Sequence, residues 1–320
     1  MEWDRRTLLG AAAMLAAGPP ARAAGSAPAE PETIDLWPAG PPGAPTPLPA
    51  ERIVQRSADP RISDRFVEHV ARPRMAVFRP ARANGGAVLV MPGGGYVRVV
   101  IDKEGHELGR WLSARGYTVF VLFYRLPGDG WAAGPDVALS DAQRAMRLIR
   151  HRARDYDIDP ARVAAMGFSA GGHLCADLAT RFAHPAYAPV DAADALSART
   201  VVAAPIYPVI GMRAPHAHAG SRAQLIGQGA DEALEDAHSP HLNVSAETPP
   251  TFLVHAEDDG AVPVENSLLL RAALRAKGIP VETHLFARGG HGFGLRGAAG
   301  TPASVWPELF LAWAKTQGLG

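Results

Sequence analysis

Residues 163–173 read VAAMGFSAGGH, and this stretch decides the fold. The run Val163–Phe168 is short and apolar, which is typical of a buried strand, and a helical pattern follows it. Gly167, Ser169 and Gly171 therefore form a G-x-S-x-G sequence at a sharp strand-to-helix turn, where bulkier residues would collide with neighbouring backbone. The turn would hold the Ser169 hydroxyl clear of the sheet, at the positive end of a helix. Ser169 is thus a candidate nucleophile; the alternative is a serine that only caps the helix.

Strand and helix patterns alternate along the chain on both sides of this turn. Short apolar runs predict further strands at Ala87–Met91, Thr118–Tyr124, Thr200–Ile206, Thr251–His255 and Val281–Phe286. Apolar residues recur at helical spacing within 138–149, 268–276 and 306–313. This alternation predicts an α/β fold with a mostly parallel, doubly wound sheet and helices on both faces. Ligands of such folds bind outside the carboxyl ends of the strands.

An acid and a histidine follow two of the predicted strands. Asp259 begins a D-x-x-V-P pattern after one strand and is the candidate acid, with Asp258 as the fallback; a solvated acidic loop is the alternative. His291 lies between glycines after another strand and is the candidate base. Ser169, Asp259 and His291 follow the order nucleophile, acid, base, which is the chain order of the α/β-hydrolase fold.

A glycine-rich loop follows the first predicted strand of the parallel set. Residues 92–96 read PGGGY, and backbone amides without obstructing side chains are suited to hold a negatively charged oxygen. The amides of Gly94, Gly95 and Ala170 are therefore the candidate oxyanion hole. The loop lacks the Gly-Lys-Ser/Thr of a phosphate-binding P-loop, and Arg98 stands where a dinucleotide-binding motif needs glycine.

The N-terminal 50 residues differ in composition from the rest. Residues 1–24 carry Arg5 and Arg6, a short apolar stretch and an Ala-Arg-Ala site, which resembles a twin-arginine export signal and predicts a periplasmic or secreted protein. Residues 25–50 are rich in Pro and Ala, show no helix or strand period, and are interpreted as an extended arm. Residues 51–320 are expected to form a single catalytic domain.

The charge and cysteine content exclude several classes of function. The chain has 320 residues with 32 basic and 32 acidic side chains, so it lacks the positive excess of a nucleic-acid binder. No apolar run after the first 25 positions is long enough to span a bilayer, so we expect no membrane insertion of the mature chain. With Cys175 as the one cysteine, intrachain disulfides and cysteine-based metal sites are excluded.

Several motifs together resemble those of a known family. They are PGGGY at 92–96, KEG at 103–105, YRL at 124–126, DAQRA at 141–145, GFSAGGH at 167–173, DDGAVPV at 258–264 and GHGF at 290–293. This set is similar to bacterial acetyl xylan esterase-like α/β hydrolases, over about residues 34–316.

The resemblance implies a serine esterase that forms an acyl-enzyme and removes O-acetyl groups from polysaccharide or oligosaccharide. It implies no metal and no organic cofactor, and a small ester or an acetylated carbohydrate as the substrate. Tyr96 and Trp131 are candidate substrate-contacting residues, although Trp131 is equally suited to cover the core. The oligomeric state is left open.

Three other functions are compatible with parts of the pattern. The nearest is a general carboxylesterase for short acyl groups, which would use the same three residues. A serine peptidase of the prolyl oligopeptidase type is less favoured. A non-catalytic, esterase-like binding module would require a broken triad or a missing glycine loop, and both look complete in this sequence.

Overall fold

A computed structural model describes residues 30–320, and its centre is an eight-stranded sheet. The strands are β1 (Glu32–Asp35), β2 (Arg52–Gln55), β3 (Arg65–Glu68), β4 (Arg74–Phe78), β5 (Ala87–Met91), β6 (Thr118–Phe123), β7 (Val163–Phe168), β8 (Ala203–Ile206), β9 (Thr251–Ala256) and β10 (Val281–Phe286). The α-helices are α1 (Glu107–Ser113), α2 (Val137–His151), α3 (Ala170–Arg181), α4 (Ala219–Ile226), α5 (Glu232–Ala237), α6 (Glu265–Ala276) and α7 (Trp306–Thr316).

The order of strands in the large sheet is β1-β4-β6-β5-β7-β8-β9-β10. The six strands predicted from the sequence, β5 to β10, are all present and pair in parallel. Every residue of β5, β6, β7 and β9 is buried, as expected for central strands flanked by helices. The predicted α/β-hydrolase fold with a mostly parallel sheet is confirmed.

The direction in which strands are added reverses between β5 and β7. From β5 the chain moves to β6 on one side of the sheet, and from β7 it continues through β8 to β10 on the other side. Loops that leave the carboxyl ends of two such neighbours diverge and leave a crevice between them. The PGGGY loop follows β5 and Ser169 follows β7, so the topology brings these two sequence motifs to the same crevice.

Four strands were not predicted from the sequence. β4 pairs antiparallel with β6, β1 pairs antiparallel with β4 at the edge of the large sheet, and β2 and β3 form a separate two-stranded sheet. The four have only four or five residues each, and so short a run shows no decisive period. Their pairing partners, rather than their own sequence, make them strands.

The interpretation of residues 25–50 as an arm without a strand is wrong for Glu32–Asp35, which form β1. The chain directly after β1 is also tied down: Leu36 and Trp37 are buried, and Trp37 Nε1 donates a hydrogen bond to Asp141 at 2.8 Å. Pro31–Gly320 form one compact unit. The proposed export signal at 1–24 lies outside the described residues.

A buried ion pair anchors the segment that follows β1. Arg125 and Asp141 are both fully buried, and Asp141 accepts hydrogen bonds from the backbone N–H and the guanidinium of Arg125. Arg125 Nη1 also donates to the Pro42 carbonyl at 2.8 Å, and Arg144 Nε donates to the Leu36 carbonyl at 3.0 Å. Two of the sequence motifs, YRL and DAQRA, therefore act in the scaffold, where they hold the N-terminal segment against α2.

The C-terminal helix closes the core. In α7, Trp306 and Phe310 are fully buried, and Phe310 packs edge-on against Phe252 of β9. Cys175 in α3 is also fully buried, and burial raises the pKa of its thiol to about 12. Among residues 30–320, no helix combines the length and the apolar character that crossing a bilayer requires.

Candidate active site

Ser169 stands alone between β7 and α3 in a strained backbone conformation. Its φ of 54° and ψ of −119° lie in a region that residues other than glycine rarely adopt. A Cβ atom added to Gly167 would lie 2.0 Å from the Gly171 carbonyl oxygen, and one added to Gly171 would lie 2.1 Å from the Met91 carbonyl oxygen. Only glycine fits at both positions. The Ser169 side chain makes no capping hydrogen bond to α3, so the alternative of a simple helix cap is not observed.

The three residues predicted as nucleophile, base and acid meet at the carboxyl ends of their strands. Ser169 Oγ lies 2.8 Å from His291 Nε2, and His291 Nδ1 lies 2.7 Å from Asp259 Oδ2. Since a carboxylate only accepts, Nδ1 carries the ring proton and donates it to Asp259. Nε2 then accepts from the Ser169 hydroxyl, which is the arrangement a general base requires.

Asp259 is held as a buried carboxylate. Its Oδ1 accepts hydrogen bonds from the backbone N–H groups of Ala261 and Val262, both at 2.9 Å, and Oδ2 also faces His255 Nε2 at 3.3 Å. Burial by itself would raise the pKa of Asp259, but the hydrogen bonds from His255, His291 and Val262 outweigh it and hold the pKa well below its ordinary value. The side chain therefore keeps its charge, which stabilises a protonated His291.

Asp258, the fallback acid, has a different place. Its Oδ1 accepts hydrogen bonds from the backbone N–H groups of Gly289 and Gly290, at 2.8 and 2.7 Å. These glycines immediately precede His291. Asp258 therefore shapes the loop that carries the histidine, while Asp259 binds the histidine ring itself.

The candidate oxyanion loop has two amides available. Gly93 N–H donates to Glu104 Oε2 at 2.8 Å, whereas the amides of Gly94 and Gly95 donate no hydrogen bond within residues 30–320. The loop reaches Ser169 closely, since a Cβ atom on Gly93 would come within 3.0 Å of Ser169 Cβ. Ala170 is the first residue of α3, where an N–H has no partner inside the helix. Gly94, Gly95 and Ala170 thus surround Ser169 with donor groups.

A buried polar link that sequence reasoning missed joins the two loops of the site. Glu104 Oε1 accepts from the Tyr207 hydroxyl at 3.0 Å, while its other oxygen binds the oxyanion loop. The Tyr207 hydroxyl in turn accepts from Gly294 N–H at 3.0 Å, and the Tyr207 ring packs edge-on against His291. A carboxylate within the KEG motif was the available signal.

The two candidate substrate-contacting residues do not reach the cleft, and those predictions are wrong. Tyr96 is 1% exposed, and its hydroxyl lies 2.7 Å from His173 Nδ1. Burial lowers the pKa of His173 to about 4, so the ring is neutral: Nε2 donates to the His238 carbonyl, and Nδ1 accepts from Tyr96. Trp131 is 3% exposed and lies under the Arg125 guanidinium, at 5.0 Å. Both aromatic residues are part of the packed interior.

A cleft of about 490 Å³ opens at Ser169 and His291. Its wall includes His218, Gly220 and Gln224, from the long segment between β8 and β9. His218 Nδ1 accepts from the backbone N–H of Ser221 and thereby caps α4. Burial lowers the pKa of His218, which favours the neutral ring beside the triad. Within the described part of the chain, no group of three or more metal-ligating side chains could hold a metal ion.

Comparison with protein families and curated proteins gives consistent matches. The BD-FAE family model matches residues 75–274. The acetylxylan esterase of Xylanibacter ruminicola is 31% identical over 226 residues, which cover 69% of this chain and 44% of that protein. Endo-1,4-beta-xylanase B of Butyrivibrio fibrisolvens is 37% identical over 210 residues, which cover 64% of this chain and 32% of that protein. The chain thus spans between a third and a half of the length of these curated relatives.

A solved structure matches over nearly its full length. The acetyl ester-xyloside bifunctional hydrolase from Caldicellulosiruptor lactoaceticus is 33% identical, with a TM-score of 0.72. The match covers 92% of this chain and 99% of that one. The similarity therefore extends beyond the family model, to residues on both sides of 75–274.

Proposed function

The chain belongs to the BD-FAE family of α/β hydrolases, and we propose that it is a serine ester hydrolase that removes O-acetyl groups from polysaccharides or oligosaccharides. The observation that carries the proposal is the continuous hydrogen-bond chain from Ser169 through His291 to Asp259, next to the amides of Gly94 and Gly95, which donate no hydrogen bond within residues 30–320. That combination supplies a nucleophile, a base and an anion site within one crevice.

The geometry supports a two-step reaction. His291 Nε2 takes the Ser169 proton while Oγ attacks the acyl carbon, and the N–H groups of Gly94, Gly95 and Ala170 stabilise the negative oxygen. His291 then protonates the leaving alcohol, and an acyl group remains on Ser169. Water repeats the cycle and releases the carboxylic acid. Asp259 keeps the proton of His291 on Nδ1 in both steps.

The substrate class rests on the relatives and on the form of the cleft. Two of the relatives are named for acetyl esters of xylan or xylosides. A cleft of about 490 Å³ is large enough for a short stretch of sugar, and Gln224 and His218 in its wall offer polar groups to sugar hydroxyls. Tyr96 and Trp131 are buried, so these two aromatic side chains do not provide the substrate contacts that the sequence predicted.

A substrate panel tests the proposal. Acetate release from acetylated xylo-oligosaccharides should exceed cleavage of aryl butyrates, and Ser169→Ala should lower kcat by roughly 10⁴-fold or more. Labelling of the wild type by a fluorophosphonate should disappear in the same variant. Cleavage of aryl acetates without any acetate release from sugars would instead support the general carboxylesterase. Absence of both cleavage and labelling would support a non-catalytic module.

We also propose that residues 1–24 direct export, on the basis of the arginine pair and the Ala-Arg-Ala site alone. N-terminal sequencing of the protein recovered from the periplasm or the medium should find a start near Ala24. A Lys-Lys replacement of Arg5 and Arg6 should leave the protein in the cytoplasm if a receptor reads the pair. Exported protein that still begins at Met1 would contradict this proposal.

A further inference from the structure

Positively charged side chains line the cleft on both sides of the reaction centre. Arg98 lies beside the oxyanion loop, where its Cγ would be 2.7 Å from a Cβ atom on Gly94. Lys103 lies beside the histidine loop, where its Nζ would be 4.0 Å from a Cβ atom on Gly292. A third cation, Arg56, completes the wall. The protein as a whole has a formal net charge of zero, whereas these three side chains concentrate positive charge in the cleft wall.

Arg98 and Lys103 have no carboxylate partner. Within residues 30–320, neither side chain takes part in an ion pair or donates a hydrogen bond to another residue. The Arg98 guanidinium instead lies 4.7 Å above the ring of Phe66. Arg56 differs, because it pairs with Asp64 at 2.6 Å. Arg98 and Lys103 are therefore the two cations of the cleft wall without an ion pair in the described part of the chain, although Glu68, which pairs with Arg52, also interacts electrostatically with Arg98.

Glu104, the one carboxylate in the cleft wall, offsets only part of their charge. Glu104 is 5% exposed, and its two oxygens are already bound by Gly93 N–H and by the Tyr207 hydroxyl. Asp259 has no exposed surface and is committed to the histidines. With three cations and one carboxylate in its wall, the cleft has an excess of positive charge, which attracts an anion and raises its local concentration.

We infer that the positive charge of Arg98 and Lys103 in the cleft wall favours a carboxylate group on the substrate, so that the enzyme prefers acetylated glycans that carry a uronic acid near the ester. The inference rests on the proposed esterase function and adds the charge of the substrate to it. A guanidinium binds a carboxylate with two parallel hydrogen bonds, and an ammonium adds a point charge. The Arg98 guanidinium packs on the ring of Phe66 in β3.

The test compares kcat/KM on three acetyl or acyl esters. The first is a neutral acetylated xylo-oligosaccharide, the second the same oligosaccharide with a uronic acid on the neighbouring sugar, and the third a succinate monoester of a neutral sugar. The wild type should prefer the second over the first by about 10-fold, the effect expected of a hydrogen-bonded charge. Added salt should narrow this preference, because screening weakens a partly exposed charge pair. A preference for the succinate ester over the uronic acid ester would overturn the inference, because the recognised carboxylate would then lie on the acyl group.

The double variant Arg98→Gln with Lys103→Gln removes both charges. It should reduce the ratio of kcat/KM on the uronic acid ester to kcat/KM on the neutral ester to about one. Arg82 and Lys277 are exposed cations that precede β5 and β10, so they lie at the amino ends of these strands, opposite the cleft. The double variant R82Q and K277Q is therefore the matched control and should leave the ratio unchanged. Equal wild-type rates on all three esters, or a ratio that the cleft variant does not alter, would overturn the inference. Failure to cleave the neutral acetylated sugar would instead count against the proposed function itself.

Discussion

The Ser169 backbone is strained, and this conformation places the side chain where no ordinary turn would put it. A residue other than glycine in this region costs about 1–3 kcal/mol. The surrounding structure imposes it: Ser169 N–H donates to the Ile206 carbonyl at 3.0 Å, and the Ser169 carbonyl accepts from His173 and Val209. The strain thus holds the hydroxyl at the mouth of the crevice before any substrate arrives.

The neighbouring acids Asp258 and Asp259 should respond differently to the same substitution. Asp259→Asn should lower kcat by roughly 10⁴-fold, because an amide no longer fixes the proton on His291 Nδ1. Asp258→Asn should be mild, since the amide oxygen can still accept from Gly289 and Gly290. Steady-state kinetics on an aryl acetate distinguish them. The reverse ranking would mean that Asp258 is the catalytic acid.

Glu104 and Tyr207 should act as positioning residues, because they touch the two catalytic loops and not the substrate carbon. Tyr207→Phe removes the hydroxyl that joins Glu104 to Gly294, and Glu104→Gln leaves one acceptor oxygen where two are needed. We expect each to lower kcat by about 10- to 100-fold, somewhat less than the loss of an oxyanion donor, with little change in KM. A purely structural role would lower thermal stability and leave the kcat of the folded fraction unchanged.

Among the elements of the fold, the segment after β1 shows how a Pro-rich stretch becomes part of the core. Trp37 is 5% exposed, packs edge-on against Tyr187 at 5.0 Å and binds Asp141 through its indole N–H. The contacts come from α2 and from the loop after α3, so the segment closes over helices far along the chain. Nothing in its own composition favours that position.

Trp37→Ala should therefore destabilise the protein by roughly 3–5 kcal/mol, the usual cost of removing a large buried aromatic residue. Leu48 lies in the same segment but is 50% exposed, so Leu48→Ala is the control and should change stability by less than about 0.5 kcal/mol. Denaturant unfolding monitored by circular dichroism compares the two. Similar stability of both variants would show that the segment is not anchored.

The molecule as a whole should lose stability in acid in a way that depends on Asp102. This carboxylate is 1% exposed and accepts hydrogen bonds from Arg65 and from Ser63, with His106 at 3.3 Å. Burial would raise the pKa of Asp102, but the contacts with His106, Arg65 and Ser63 lower it far below the ordinary value. Its contribution is therefore fully present above the unfolded pKa of about 4 and is lost as the pH falls below that value.

Asp102→Asn should thus reduce the free energy of unfolding by roughly 3 kcal/mol at pH 7, as expected for a broken buried ion pair. Between about pH 4 and pH 2 the gap to the wild type should shrink, because Asp102 of the unfolded wild type then binds a proton that the folded state does not. Unfolding curves at several pH values measure this difference. A gap that stays constant down to pH 2 would show that the charge of Asp102 does not stabilise the fold.

The sequence by itself determined the features that depend on neighbours along the chain. Apolar runs predicted the parallel strands, most clearly β5 to β9, because a strand buried on both faces has few polar positions; the edge strand β10 is only partly buried. The glycines around Ser169 predicted the sharp turn, since no larger side chain fits there. The order of Ser169, Asp259 and His291 predicted the set of residues that the structure joins by hydrogen bonds; their catalytic roles remain predictions.

Only the tertiary structure decided the features that depend on residues far apart in the chain. The link from Glu104 to Tyr207 joins positions 103 residues apart, and β1 is a strand only because β4 lies beside it. Tyr96 and Trp131 look like surface aromatics in a loop, yet packing buries both. Local patterns report the backbone path and the reactive groups, whereas burial and the charge lining a cleft are set by whichever distant segments fold against them.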